Sequence, residues 1–300
     1  MTLASGSQRS VDYLKEATFN TVVTDGAWKP LRNTGGAFKL VQSGKSSAEI
    51  RSDRQVANFV YGAKSASGEF PFELSAKSFD DMIEAALMGT WTANVLKVGS
   101  IFRSFSFQEQ FTDIGEAVLT TGCAINSLKI SATPDEVTGS ISILGKDHTA
   151  DLSGVGTTET YAPAETTVAF DGFTGGILVD GGAVATVTQV DISLENGMAD
   201  RPVIGNAELE QSVGRSNVTG TITMHFETLA MYNKFANREA FDLKLNLTDG
   251  TNTQQWHLPK LFATDATKDV GGESDIFITL PFQGVFETTA GSNLTITRSA

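Results

Sequence analysis

The chain is poor in the residues that most often carry chemistry. It has one cysteine, Cys123, in 300 residues. No internal disulfide framework and no cysteine-rich metal centre can be built from it. Nothing beside Cys123 lowers its pKa, so it reads as a small buried hydrophobe rather than a nucleophile. The three histidines, His148, His225 and His257, are dispersed. His225 and Glu227 can share one side of a strand, but zinc needs three or four ligands and no third stands near. Charged residues make up only 19 %, below the usual quarter or so. Lys plus Arg is 22 against 35 Asp plus Glu, a balance of −13. A chain this acidic is unsuited to gripping nucleic acid by its phosphates. Long apolar runs are missing too. No window approaches the ~18 residues of a spanning helix, and Met1–Arg9 has no basic head followed by an apolar stretch. A soluble protein made in the cytoplasm is the expectation.

What is abundant is strand and turn material. Thr (35) and Ser (25) fill a fifth of the chain, with 29 Gly and 19 Phe, a palette of sheets rather than helical bundles. Residues 1–20 are polar with scattered apolar anchors and read as an N-terminal arm. Phe38 and Leu40 alternate up to a polar tip, Gln42–Ser47, and read as a hairpin with Arg51, Asp53 and Arg54 at its base or return strand. Phe70, Phe72 and Leu74 alternate as a strand. Phe79, Met82, Ile83, Ala86 and Leu87 follow at helical spacing, with Ser78 as N-cap and Gly89 just past the end. Trp91 to Lys97 returns as a strand. A second unit has the same order. Val218 to Phe226 is extended, Thr228 opens a helix through Leu229, Tyr232, Phe235 and Ala236, and Phe241, Leu243, Leu245 and Leu247 alternate cleanly. The two units read as an internal duplication, with modules at 21–145 and 187–300. A Thr/Gly-rich linker or small insert lies at 146–186.

Catalytic motifs do not emerge. Gly44-Lys45-Ser46 imitates the end of a phosphate loop, but the glycine required five residues earlier is Lys39. Asp80, Asp81 and Glu84 sit where a helix N-terminus favours negative charge. The Asn217, Asn246 and Asn293 sequons lack an export signal. No enzyme, metal or cofactor is expected.

Two stretches carry a family resemblance. Gly44-Lys45-Ser46-Ser47-Ala48-Glu49-Ile50-Arg51-Ser52-Asp53-Arg54-Gln55 precedes the strand at Phe70. Phe79-Asp80-Asp81 then opens a hydrophobic helix that ends Gly89-Thr90-Trp91. This pattern resembles the tail tube (major tail) proteins of long-tailed, non-contractile bacteriophages, firmly over 40–145 and more loosely from 187 onward. The resemblance implies a mainly β fold of sandwich- or barrel-like modules, each with a flanking helix. It implies a structural subunit of the virion tail, assembled in the host cytoplasm into rings, hexamers or trimers of a doubled subunit. Stacked rings would form a tube that conducts viral DNA. It further implies an inter-ring contact loop containing Gly44, Lys45, Ser46, Glu49, Ile50, Arg51, Asp53 and Arg54. Its partners would be further copies of itself, the terminator, tape-measure and tail-tip proteins, and DNA passing without tight binding. An acidic wall repels phosphates within a screening length of ~8 Å, and Glu109, Asp113, Glu116, Asp191 and Glu195 are the candidates to line it. The competing reading is a receptor- or carbohydrate-binding β-sandwich of a phage particle, which would need exposed aromatics; Trp and Tyr number three and four.

Overall fold

In a computed structural model of the chain, residues 3–23, 26–149, 160–205, 208, 210–270 and 275–299 are described. The first half runs β1 (Arg9–Lys15), β2 (Ala27–Pro30), β3 (Ala37–Ser46), β4 (Phe59–Glu73), α1 (Asp80–Leu87), β5 (Val95–Lys97), β6 (Phe105–Phe111), β7 (Glu116–Ala132), β8 (Val137–Gly145) and β9 (Asp147–Thr149). The chain continues with β10 (Thr160–Tyr161), β11 (Asp171–Val179), β12 (Gly182–Ala183), β13 (Val187–Glu195), β14 (Ala199–Arg201), β15 (Glu210–Ser212) and β16 (Asn217–His225). It ends with α2 (Ala230–Asn237), β17 (Phe241–Thr248), β18 (Thr253–Ala263), β19 (Thr267–Asp269), β20 (Phe277–Gly284) and β21 (Thr295–Arg298). Strand accounts for 55 % and helix for 7 %, so the fold is mainly β and sandwich-like.

The spine is one antiparallel sheet in the order β3·β4·β8·β7·β13·β16·β20. Two-residue alternation decides what each side of it presents. One cross-strand row reads Phe70, Ile141, Leu128, Leu194 and Val218, and all five are buried. The next row is Pro71, Ser140, Lys129, Ser193, Thr219 and Gln283. The apolar side packs on a second layer, with β1, β6 and the first part of β7 under one half and β11, β17 and most of β18 under the other.

The same pairings occur twice. β1·β2, β1·β6, β6·β7, β7·β8, β8·β4 and β4·β3 are matched by β11·β12, β11·β17, β17·β18, β18·β20, β20·β16 and β16·β13. Their irregularities coincide as well. The β6·β7 ladder slips between Phe105 and Phe107, and the β17·β18 ladder slips between Phe241 and Leu243. β7 slips against β8 just after Ile125, and the run β18–β19 slips against β20 just after Ala263. These bulges let one long strand leave the second layer and enter the spine. Each helix follows the second strand of the spine hairpin and spans eight residues. Each ends on a left-handed residue, Met88 or Arg238.

Several elements differ from the sequence reading. Within the N-terminal arm read at 1–20, Arg9–Lys15 is a strand of this subunit's own second layer, with Val11, Tyr13 and Leu14 buried and β6 paired along its length. Within 146–186, residues 150–159 lie outside the described residues, while Asp171–Val179 is the first strand of the second repeat. The counterpart of β17 is β6 rather than the Trp91–Lys97 stretch. There, Ala93 and Asn94 take positive φ in a tight turn and only Val95–Lys97 is extended. Ser78 does not cap α1; its hydroxyl accepts from Ser75 and from Arg32 instead. Gly89 does follow the helix, yet its φ is not what requires glycine. A Cβ there would lie 2.0 Å from the Lys97 carbonyl oxygen.

Gly220 has the corresponding role in the spine. A Cβ on it would lie 2.1 Å from the Asp191 carbonyl oxygen and 2.4 Å from the Phe282 ring. Gly220→Ala is therefore expected to lower stability by about 2 kcal/mol through overpacking. Thermal unfolding checks this, and an unchanged melting temperature contradicts the placement.

Candidate functional site: a polar sheet face and two projecting loops

The polar side of the spine is built from Ser, Thr, Gln and Asn because those side chains satisfy one another without apolar cover. Ser131 donates to Asp191 at 2.6 Å, Gln189 donates to the same carboxylate at 3.0 Å, and Gln283 donates to Asn217 at 3.0 Å. From β4 to β20 this face carries four carboxylates, Glu69, Glu73, Asp191 and Glu195, and one ammonium, Lys129. The end strands add Lys39 on β3 and Asp269 on β19. A shallow depression of about 690 Å³ lies along the face over Lys129, Ser140, Ser193, Thr221 and Gln283.

Sequence reasoning named Asp191 and Glu195 and missed Glu69 and Glu73. The signal was present, since both alternate with the buried Phe70, Phe72 and Leu74. The other three named acids sit elsewhere. Glu109 is 4 % exposed, accepts Arg9 Nη2 at 2.6 Å and accepts the Phe38 amide at 3.1 Å. Its charge is already matched inside the subunit. Asp113 and Glu116 flank the β6–β7 turn, where Asp113 accepts the Ser5 amide at 2.6 Å.

The β3–β4 connection forms a projecting loop. β3 runs through Ser46, so the connection is 47–58 rather than the tip expected at 42–47. The Phe59 ring lies over Gly44, where a Cβ would be 2.1 Å from it, and this extends the ladder past the slip at Gln42. Arg51, Asp53 and Arg54 consequently stand in the loop and not at its base. Arg51 binds Asp53 through two hydrogen bonds of 3.0 and 2.7 Å, which holds the Asp53 carboxyl below its usual range. Ile50 is 99 % exposed and Val56 is exposed in the loop, with Val60 and Tyr61 exposed at the start of β4. Single exposed apolar side chains are ordinary, but several along one projecting hairpin mark a contact surface. The equivalent connection in the second repeat, between β13 and β16, carries the β14·β15 hairpin and the fully exposed Ile204.

A third cluster gathers charge around the start of α1 beside a cavity of about 420 Å³. Asp81 receives Lys15 at 2.7 Å, Lys29 at 2.8 Å and the Tyr13 hydroxyl at 3.1 Å. Asp80 binds Arg298, whose guanidinium lies over the Trp91 ring. Burial raises the pKa of Asp80 despite that arginine. At Asp81 burial also acts upward, but the two lysines outweigh it and hold the carboxyl below 3.8. Burial, then Asp81, pushes the Tyr13 phenol up. Both carboxylates of the first turn of α1 have basic partners, so the cluster ties β1, α1 and β21 together. His225 packs on Phe277 with ring centroids 4.6 Å apart. Among the described residues no group of three or more His, Cys, Asp or Glu could hold a metal ion, and no helix is long and apolar enough to cross a membrane.

A broad hydrogen-bonded face, exposed sheet ends and apolar loop tips define a class: a mainly β structural subunit shaped for contact with other chains. A family model described as phage tail tube protein matches residues 6–284, nearly the whole chain, and the chain belongs to that family. No curated protein matches it. Family membership gives it a structural role in the tail of the virion, within a tube built with other tail proteins.

Asp81 supplies a test of the clamp. A carboxyl whose folded pKa lies below its unfolded value stabilises the fold above pH 3.8 and loses that contribution as pH falls through the folded pKa. Asp81→Asn is expected to cost on the order of 2 kcal/mol near neutral pH and less in acid. Denaturant unfolding across pH measures it, and a pH-independent difference contradicts the assignment.

Proposed function

We propose that the subunit self-assembles into rings, that the rings stack into a tube, and that the polar face of the spine lines a bore through which viral DNA passes. The observation that carries this reading is the face itself. Six adjacent strands, β4 to β20, hold four carboxylates against one lysine on a surface of small hydroxyl and amide side chains. DNA meeting such a wall finds no counterion-releasing contacts to hold it. It is repelled over ~8 Å at physiological salt, so no position along the tube is preferred. Two repeats per chain, about 9–145 and 171–299, put two units of wall into each subunit. In this reading the loop 47–58, with Arg51 and Asp53 bridged and Ile50 outward, contacts the adjoining ring. The terminator, tape-measure and tail-tip proteins are the partners at the ends and in the bore. The family role is structural, and the reading involves no catalysis.

The tryptophans argue against a sugar-binding platform. Trp28 and Trp256 are each 1 % exposed, and Trp91 lies under Arg298.

Electron microscopy of concentrated protein is expected to show rings or tubes with a central hole, and only monomers at all concentrations would contradict the proposal. Deleting 48–57 is expected to leave the subunit folded, with rings that no longer stack; tubes of ordinary length would contradict the role given to the loop. Changing Glu69, Glu73, Asp191 and Glu195 together to Lys is expected to make assembled protein retain duplex DNA, at least about tenfold more at low than at physiological salt. DNA retention no different from that of the parent would contradict the wall.

A further inference from the structure

The repeat places one of its own junctions inside the chain. There β7, late in the first repeat, pairs antiparallel with β13, the first spine strand of the second, from Ala132 opposite Val190 to Ser127 opposite Glu195. The second repeat has the strand equivalent to β7, the run Phe262–Asp269, which among the described residues pairs on one side only, with β20. At the other end of the spine, the strand equivalent to β13 is β3, which among the described residues pairs on one side only, with β4. Among the described residues the sheet therefore begins with an unmatched first strand and ends with an unmatched last strand.

Superposing the ladders residue by residue fixes what would meet. Gly68 and Gly220 correspond, so their partners Phe38 and Ile192 correspond. Gly145 and Gly284 correspond as well, each the last residue of its strand. Ile125 and Ala263 take the same place, just before the slip in each long strand, and Ile130 and Lys268 follow it.

We propose that β3 of one copy adds to the free edge of β18–β19 of the next, antiparallel, with Phe38 opposite Lys268 and Leu40 opposite Ala266, repeating between chains the junction that β7 and β13 make within one. This rests on the ring reading above and names its seam.

Three features support that occupant. The first is charge. Lys39 would stand opposite Thr267 with Asp265 and Asp269 on its two diagonals, within reach of a long side chain. The second is an open space where the internal junction is filled. Inside the chain, Asn196 follows β13 and donates through its side-chain amide to the Ala86 carbonyl of α1 at 2.9 Å and the Ile125 carbonyl of β7 at 3.0 Å. The counterparts are Gln42 of the incoming copy, Ala236 of α2 and Ala263. Phe235, Ala236, Phe262 and Ala263 line a cavity of about 440 Å³ at that place. α1 buries five of its residues, whereas α2 buries none. The third is the edge itself. The Phe38 amide donates to Glu109 rather than to β4, so the even-numbered amides of β3 point away from their own sheet. In the isolated subunit Glu109 holds the place of the missing acceptor, a way of shielding an edge until its partner arrives. Strand addition exchanges it for a backbone carbonyl.

The test is disulfide trapping during assembly. Lys39 and Thr267 form a non-hydrogen-bonded pair in this register, with Cα atoms roughly 4.5 Å apart, inside the range a disulfide spans. Within one chain they sit at opposite ends of the spine, so any bond joins two copies. The Lys39→Cys/Thr267→Cys protein is oxidised under assembly conditions, with Leu40→Cys/Thr267→Cys as the control whose cysteines fall on opposite sides of the sheet. The expected result is a ladder of covalent multimers on a non-reducing gel, at least about tenfold more abundant than in the control. Its largest closed species counts the copies in a ring. Rings or tubes in the microscope without this ladder overturn the seam and leave the tube reading standing. The ladder without rings or tubes supports the seam and contradicts the tube. Neither ladder nor assembly contradicts both.

Discussion

Backbone hydrogen bonding is the constraint on which the rest of this structure depends. A sheet that runs from β3 through β20 to β18–β19 satisfies its interior amides and carbonyls through its neighbours but leaves a row of them at each end. Small proteins hide such rows with short strands, bulges or covering loops. Here β3 runs ten residues with all but Phe38 exposed, and Thr267–Asp269 is exposed throughout. Among the described residues, the shield on β3 is one buried carboxylate, Glu109, on the Phe38 amide. A fold that leaves its edges so open is suited to existing as one of many copies.

The same constraint explains the chemistry of the two sheet faces. The apolar face must be covered, and each repeat covers it with its own second layer, bending one long strand from layer to layer at a bulge. Among the described residues the polar face has no second layer. It is stable uncovered because its side chains are short and hydrogen-bond among themselves, as Ser131, Gln189 and Asp191 do. Its residual charge is negative because, among the described residues of that face from β4 to β20, Lys129 stands alone against Glu69, Glu73, Asp191 and Glu195. Fold and proposed role thus meet in one surface: what makes the face tolerable to water also makes it slippery to a polyanion.

Much of this was legible in the sequence, and the misses have physical causes. Alternation in Phe70–Leu74 and Phe241–Leu247 marked spine and second-layer strands correctly, because a half-buried strand writes its geometry directly into a period of two. Both helices were visible from spacing. The repeat was visible only in outline. It is conserved as pairing and bulge position, while the side chains diverge, as at Cys123 and Leu261, which are both buried and chemically unlike. The Trp91–Lys97 stretch was read as a strand because alternation cannot detect the positive φ of Ala93 and Asn94. Among the acids, sequence could not separate Glu109 from Asp191. Both sit in alternating strands, but β6 is packed on both sides, so its polar residues are buried with partners. Glu69 and Glu73 alternate with Phe70, Phe72 and Leu74, so the same period of two that marks the strand places them on its polar face.

The central claim is that the polar face of the spine looks into a bore. A density map of assembled protein at side-chain resolution tests it most directly. The account predicts Glu69, Glu73, Asp191 and Glu195 around the channel, with the Phe70 and Ile141 row turned away from it. A map with that face on the outer surface of the assembly, or with lysines and arginines dominating the channel wall, would contradict it.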